Sequence, residues 1–150
     1  VDDDEAIREV AQMSLEMVGG WEVSTASGGQ EALAMAAARC PDAILLDVMM
    51  PGMDGPTALA RLRAQELTRM IPVVFLTAKV QSSERQRWAA QDVAGVLTKP
   101  FDPMNLADQV AACLAWTDWA RLPGMRTSPA RCGRSGSAPG PRCSPGSTCW

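Results

Sequence analysis

The chain has 150 residues, 47% of them apolar, with a formal net charge of −3, which suits one globular domain with an appendage. No apolar run approaches the roughly 20 residues of a membrane span, and the absence of histidine removes Ser-His and Cys-His nucleophile pairs. Residues 1–116 hold 9 Lys/Arg and 16 Asp/Glu, a net −7, whereas residues 117–150 hold 5 Arg and one Asp, a net +4; an acidic globular part argues against direct nucleic-acid binding by it. Five cysteines without a CxxC pair argue against a zinc site. No basic-then-apolar leader stands at the start, so a cytoplasmic location is expected.

Four acids, Asp2 to Glu5, open the chain. The spacing of Ile7, Val10, Ala11, Ser14, Leu15 and Val18 predicts a helix with those residues on one face, capped by Asp3 or Asp4 and stopped by Gly19-Gly20. Met13, Met17 and Met35 read as core filler. Residues 21–26 alternate and predict a strand. A turn at Ser27-Gly28-Gly29 leads to an Ala-rich helix from Gln30 to Arg39. The apolar run from Ala43 to Leu46 predicts a strand buried on both faces and ending at Asp47. Pro56 fits the first turn of a helix running towards Glu66. Val73 to Leu76 is a second buried-strand run, ending at Thr77-Ala78. Ser82 or Ser83 starts a polar helix that includes Trp88. Ala94 to Thr98 is a short strand that ends at Lys99. Asp102 is expected to cap a last helix from Pro103 to about Ala115, with Leu106, Val110 and Leu114 inward.

Strand and helix alternate, which implies a parallel sheet covered by helices on both faces. Asp47, Thr77 and Lys99 stand at three strand ends, where such sheets bind ligands. Asp2 and Asp3 belong at the end of a further strand, of which only Val1 is present. Carboxylates brought together there repel one another unless a cation sits among them. Asp2, Asp3 and Asp47 offer oxygen ligands only, which selects a hard cation, and Mg²⁺ fits. A carboxylate can act as a nucleophile towards phosphorus, with charge on the transferred oxygens neutralised by Lys99 and the cation. The segment 117–150 is rich in Gly, Pro, Ser and Arg and reads as a disordered tail.

Four stretches together resemble the receiver domain of two-component response regulators: residues 1–8, the Leu-Leu-Asp-Val-Met-Met-Pro-Gly-Met-Asp-Gly run at 45–55, Leu76-Thr77-Ala78, and Lys99-Pro100-Phe101. The resemblance covers 1–116. It implies an α/β, flavodoxin-like fold with a doubly wound, parallel, five-stranded sheet of order 2-1-3-4-5, the first strand here largely missing. It implies that Asp47 accepts a phosphoryl group from a histidine kinase or histidine phosphotransfer protein. Asp2, Asp3, Asp47 and the Met49 carbonyl would hold Mg²⁺, with Asp2 acting mainly through water. Thr77 and Lys99 would bind the phosphoryl oxygens, and a downstream effector protein would read the result. The Lys99-Pro100 peptide is expected to be cis. The aromatic switch position of many receivers falls at Val96.

Activity beyond self-phosphorylation from a phosphodonor and autodephosphorylation is not expected. Phosphatases of the haloacid dehalogenase kind have a second Asp two residues after the nucleophile, and Met49 occupies that position. The alternatives are a receiver-like interaction module without phosphorylation and a non-functional truncated fragment.

Overall fold

The computed structural model describes residues 1–78 and 92–115. The helix expected after Ser82 or Ser83, with Trp88, and the tail 117–150 lie outside the described residues. The described chain runs α1 (Glu5–Met17), α2 (Gly29–Arg39), β1 (Ile44–Asp47), α3 (Gly55–Ala64), β2 (Val73–Thr77), β3 (Gly95–Thr98) and α4 (Leu106–Cys113).

The three strands form a parallel sheet of order β1-β2-β3. Ile44 pairs with Val73 and Asp47 with Leu76, while Val74 pairs with Gly95 and Thr77 with Thr98. Val73, Val74, Phe75 and Leu76 on the central strand are buried, because helices cover both faces. On one face Ile44, Leu46, Val73 and Phe75 pack with Leu33 and Ala36 of α2 and Ala58, Leu59 and Leu62 of α3. On the other, Leu45 and Leu97 pack with Leu15 of α1 and Leu106, Ala107 and Val110 of α4. Successive strand residues thus point to opposite layers. Full burial of each such side chain contributes about 1.5–3 kcal/mol.

Local signals set the helix starts. Asp4 caps α1, accepting from the amides of Ala6 at 2.9 Å and Ile7 at 3.3 Å. Asp54 caps α3, accepting from Thr57 N at 2.8 Å, and Pro56 stands in the first turn. Arg63 of α3 ties the loops below the sheet together, donating to the carbonyls of Arg69, Ile71 and Asp92, each at 2.8 Å.

Three expectations are corrected. Residues 21–26 form no strand. A strand exists through its ladder, and only the first two residues lie between this segment and β1: Asp47 N donates to Val1 O at 2.9 Å and Asp2 N to Ala26 O at 3.2 Å. The three strands seen among the described residues are consistent with the expected flavodoxin-like sheet whose first strand is largely missing. The last helix begins at Leu106, not Pro103. Asp102 instead holds a turn, accepting from Met104 N at 2.9 Å and Asn105 Nδ2 at 2.6 Å. Val10 and Val18, expected inward, are exposed, as are Met13 and Met17, expected in the core. The buried face of α1 centres on Ser14 and Leu15; Val10, Met13 and Met17 are turned away from it, and Val18 caps the helix end.

Candidate functional site

The parallel register brings the C-terminal ends of β1, β2 and β3 to one edge. Asp47 closes β1, Thr77 closes β2, and Lys99 follows β3 with its amide donating to the Thr77 carbonyl at 2.8 Å. Asp2 and Asp3 reach the same place because Val1 and Asp2 lie along β1. Each of Asp2, Asp3 and Asp47 offers a carboxylate oxygen within 4.8 Å of the others. Asp2 and Asp47 are only 3% and 4% exposed, while Asp3 faces solvent. Thr77, at the end of β2, is buried as well. The Lys99-Pro100 peptide is cis.

Lys99 bridges the carboxylates. Its Nζ lies 2.5 Å from Asp2 Oδ2 and 3.1 Å from Asp47 Oδ2. Burial opposes the ammonium, but hydrogen bonds to Asp2 and Asp47 outweigh it and hold the Lys99 pKa above its usual value. Burial pushes the Asp47 pKa up; the hydrogen bonds from Lys99 and Met49 N only partly oppose this. Met49 N donates to Asp47 Oδ1 at 3.3 Å, and the Met49 side chain is exposed.

Two residues that frame the site were not singled out from the sequence. Arg8, one turn into α1, donates through Nη1 to the carbonyls of Asp2 at 2.8 Å and Asp3 at 3.1 Å. It fixes the backbone of the acidic pair. A lone cation one turn beyond four acids was the available signal. Gly55 lets α3 approach the strand end; its amide donates to Val48 O at 2.9 Å.

The donor set fits a hard divalent cation. Three carboxylates converge, two of them buried, and Lys99 compensates one of their charges. A divalent ion would neutralise the remaining two, and the all-oxygen ligands match Mg²⁺ chemistry. Asp2, Asp3 and Asp47 are the groups that would hold it.

Comparison with known proteins identifies the fold and the family. The chain is 40% identical over 123 residues to the DNA-binding dual master transcriptional regulator RpaA of Synechocystis, covering 82% of this chain and 50% of that one. The chain therefore spans about half the length of that curated relative. The chemotaxis protein CheY4 of Vibrio cholerae superposes with a TM-score of 0.69 at 34% identity, covering 75% of this chain and 92% of the other. The receiver domain of the sensor histidine kinase PA1611 of Pseudomonas aeruginosa, described with a magnesium ion coordinated in its active-site cleft, superposes with a TM-score of 0.67 at 29% identity, covering 77% and 93%. These neighbours carry the flavodoxin-like fold. Residues 1–111 match the family of response regulator receiver domains, and to that family of two-component signalling domains the chain belongs.

Proposed function

We propose that this chain is a phosphoacceptor switch, with Asp47 receiving a phosphoryl group from the phosphohistidine of a histidine kinase or histidine phosphotransfer protein. The supporting observation is the position of Asp47. It is a buried carboxylate at a strand end, 3.1 Å from the Lys99 ammonium and clustered with Asp2 and Asp3. One carboxylate oxygen of Asp47 attacks phosphorus, the O–P bond forms, the N–P bond breaks, and the leaving imidazole takes a proton. Lys99 is placed to follow the incoming negative charge, since its Nζ already contacts Asp47. Thr77, on the adjacent strand end, supplies a hydroxyl for a phosphoryl oxygen. Asp2, Asp3, Asp47 and the Met49 carbonyl are the proposed Mg²⁺ ligands. The ion would supply positive charge to the transferring oxygens.

An added phosphoryl group changes the charge balance around Lys99 and Thr77, and so the populations of two arrangements of the strand ends. A downstream effector protein would read that difference. The domain boundary near residue 116 is part of the same proposal, as is a cytoplasmic location. No helix among the described residues is long and apolar enough to cross a membrane. The net −7 of residues 1–116 disfavours nucleic acid as the direct partner of this part.

The test is intact mass after incubation with Mg²⁺ and a small-molecule phosphodonor, with Asp47→Asn alongside. Gain of one base-labile phosphoryl group by the chain, and none by the variant, is expected. No gain in a folded, Mg²⁺-saturated sample would refute the proposal and leave an interaction module.

A further inference from the structure

The three clustered carboxylates are held in different ways. Asp47 ends β1 and takes its place from the sheet ladder. Asp2 is buried, and both its side-chain oxygens are engaged: Oδ1 accepts from Asp4 N at 3.0 Å and Oδ2 from Lys99 Nζ at 2.5 Å. Asp3 is exposed, so its direction comes chiefly from its backbone. The orientation of the two planar peptide units that flank a residue fixes where its Cα–Cβ bond points. Arg8 holds both of those units. Its Nη1 donates to the Asp2 carbonyl at 2.8 Å, in the unit before Asp3, and to the Asp3 carbonyl at 3.1 Å, in the unit after it. A terminal guanidinium nitrogen carries two N–H groups, so one atom can orient both planes. The Asp2 carboxylate grips the second unit from its other edge, through Asp4 N. Arg8 is itself half-buried in α1, with its amide donating to Asp4 O at 3.0 Å.

We propose that Arg8 is a positioning residue for the divalent cation: by holding both peptide units that flank Asp3, it aims the Asp3 carboxylate at Asp2 and Asp47 and raises the affinity for Mg²⁺. The inference rests on the reading that these three carboxylates hold the ion. The charge of Arg8 works the other way. A guanidinium beside a cation site repels a divalent ion, so deleting it would tighten binding if charge were all it contributed. Without Arg8, the Asp3 backbone regains freedom that must be given up again each time the ion binds. The two effects have opposite signs. Position is expected to win, because loss of a group that orients a metal ligand costs about 10–100-fold in affinity, whereas the field of a partly exposed charge is screened by water and salt.

The test is thermal melting of the full chain in chelator and then at rising Mg²⁺, the concentration dependence of Tm giving Kd. Arg8→Met keeps the apolar stem and removes donors and charge; Arg8→Lys keeps the charge without the guanidinium fork. Kd is expected to rise about tenfold in Arg8→Met and about threefold in Arg8→Lys. Thr68→Val is the control. Thr68 is buried beyond the end of α3 remote from Gly55, with Oγ1 donating to Leu62 O at 2.8 Å, so its loss should lower Tm in chelator and leave Kd unchanged. A Kd for Arg8→Met equal to or tighter than that of the unsubstituted chain, or the same weakening in Thr68→Val, would overturn the inference and leave Arg8 a support of the fold alone. Should Arg8→Met show no melting transition, Arg8→Lys decides by the same criterion. Asp3→Ala tests the underlying reading separately and should abolish most of the Mg²⁺-dependent rise in Tm. A chain whose Tm ignores Mg²⁺, or responds equally with Asp3→Ala, would refute the three-carboxylate site itself and the inference with it.

Discussion

Gly55→Ala tests whether the position of the candidate phosphoacceptor depends on close approach of α3. A Cβ at residue 55 would stand 2.6 Å from the Asp47 carbonyl oxygen and 2.8 Å from Val48 Cα. Both are backbone atoms of the strand end, so no side chain can swing aside. Ordinary contact begins at 3.4 Å, so relief requires about 0.8 Å of separation between β1 and α3. The Gly55 N to Val48 O hydrogen bond, now 2.9 Å, would lengthen past bonding range and forfeit about 1 kcal/mol. Overpacking adds about 1–3 kcal/mol, for a total of about 2–4 kcal/mol against a domain stability of order 5–15 kcal/mol. Gly52→Ala is the control. Gly52 has φ 78 and nothing within 4 Å of its Cβ position, so only conformational strain of about 1 kcal/mol is expected. Urea midpoints at a shared m-value measure both. A Gly55→Ala midpoint at or above that of Gly52→Ala would refute the reasoning.

Asp54→Ala removes the side-chain acceptor for Thr57 N and should cost about 1 kcal/mol in urea unfolding. Lys99→Met leaves Asp2 and Asp47 buried without their cation and should cost about 3 kcal/mol in chelator at neutral pH, less when Mg²⁺ is added. Because the folded-state pKa of Lys99 is raised, its contribution is full below the ordinary value of 10.5 and is lost as pH rises through the folded value; the gap between chain and variant should close in that alkaline window. Asp47 behaves oppositely at acid pH. Its raised pKa means that the folded state holds the proton more tightly, so its effect lowers stability as pH rises from 3.8 through the folded value. Asp47→Asn should remove that part of the acid-limb slope in pH-dependent melts.

The site was more legible in the sequence than the sheet that carries it. Asp47, Thr77 and Lys99 each follow an apolar run, and a parallel ladder carries their relative positions from chain order to a common edge. The caps at Asp4 and Asp54 were equally readable, since each rests on contacts within four residues. Asp102 shows the limit of that signal. The same residue type before Pro103 was read as a cap, yet Met104 N and Asn105 Nδ2 take its oxygens into a turn, and α4 starts only at Leu106. A capping side chain marks a place where amides need an acceptor; which amides turn towards it depends on the packing of Leu106 and Ala107 under α1.

Residues 21–26 show why the rest was not legible. Alternation records which side chains face inward, and Trp21 and Val23 do pack against the α1–α4 core. Alternation says nothing about whether a neighbouring backbone is there to pair. Here Asp2 N supplies one bond to Ala26 O, which holds the end of the segment in place without a ladder. The same two residues explain why the acidic pair is nevertheless in position. Val1 O accepts from Asp47 N, Asp2 N donates to Ala26 O, and Arg8 grips the carbonyls of Asp2 and Asp3 from α1. Three anchors from three elements thus hold the acidic pair beside the end of β1. The acidic pair is therefore held by Arg8 as well as by the sheet, through contacts that apolar periodicity could not have revealed.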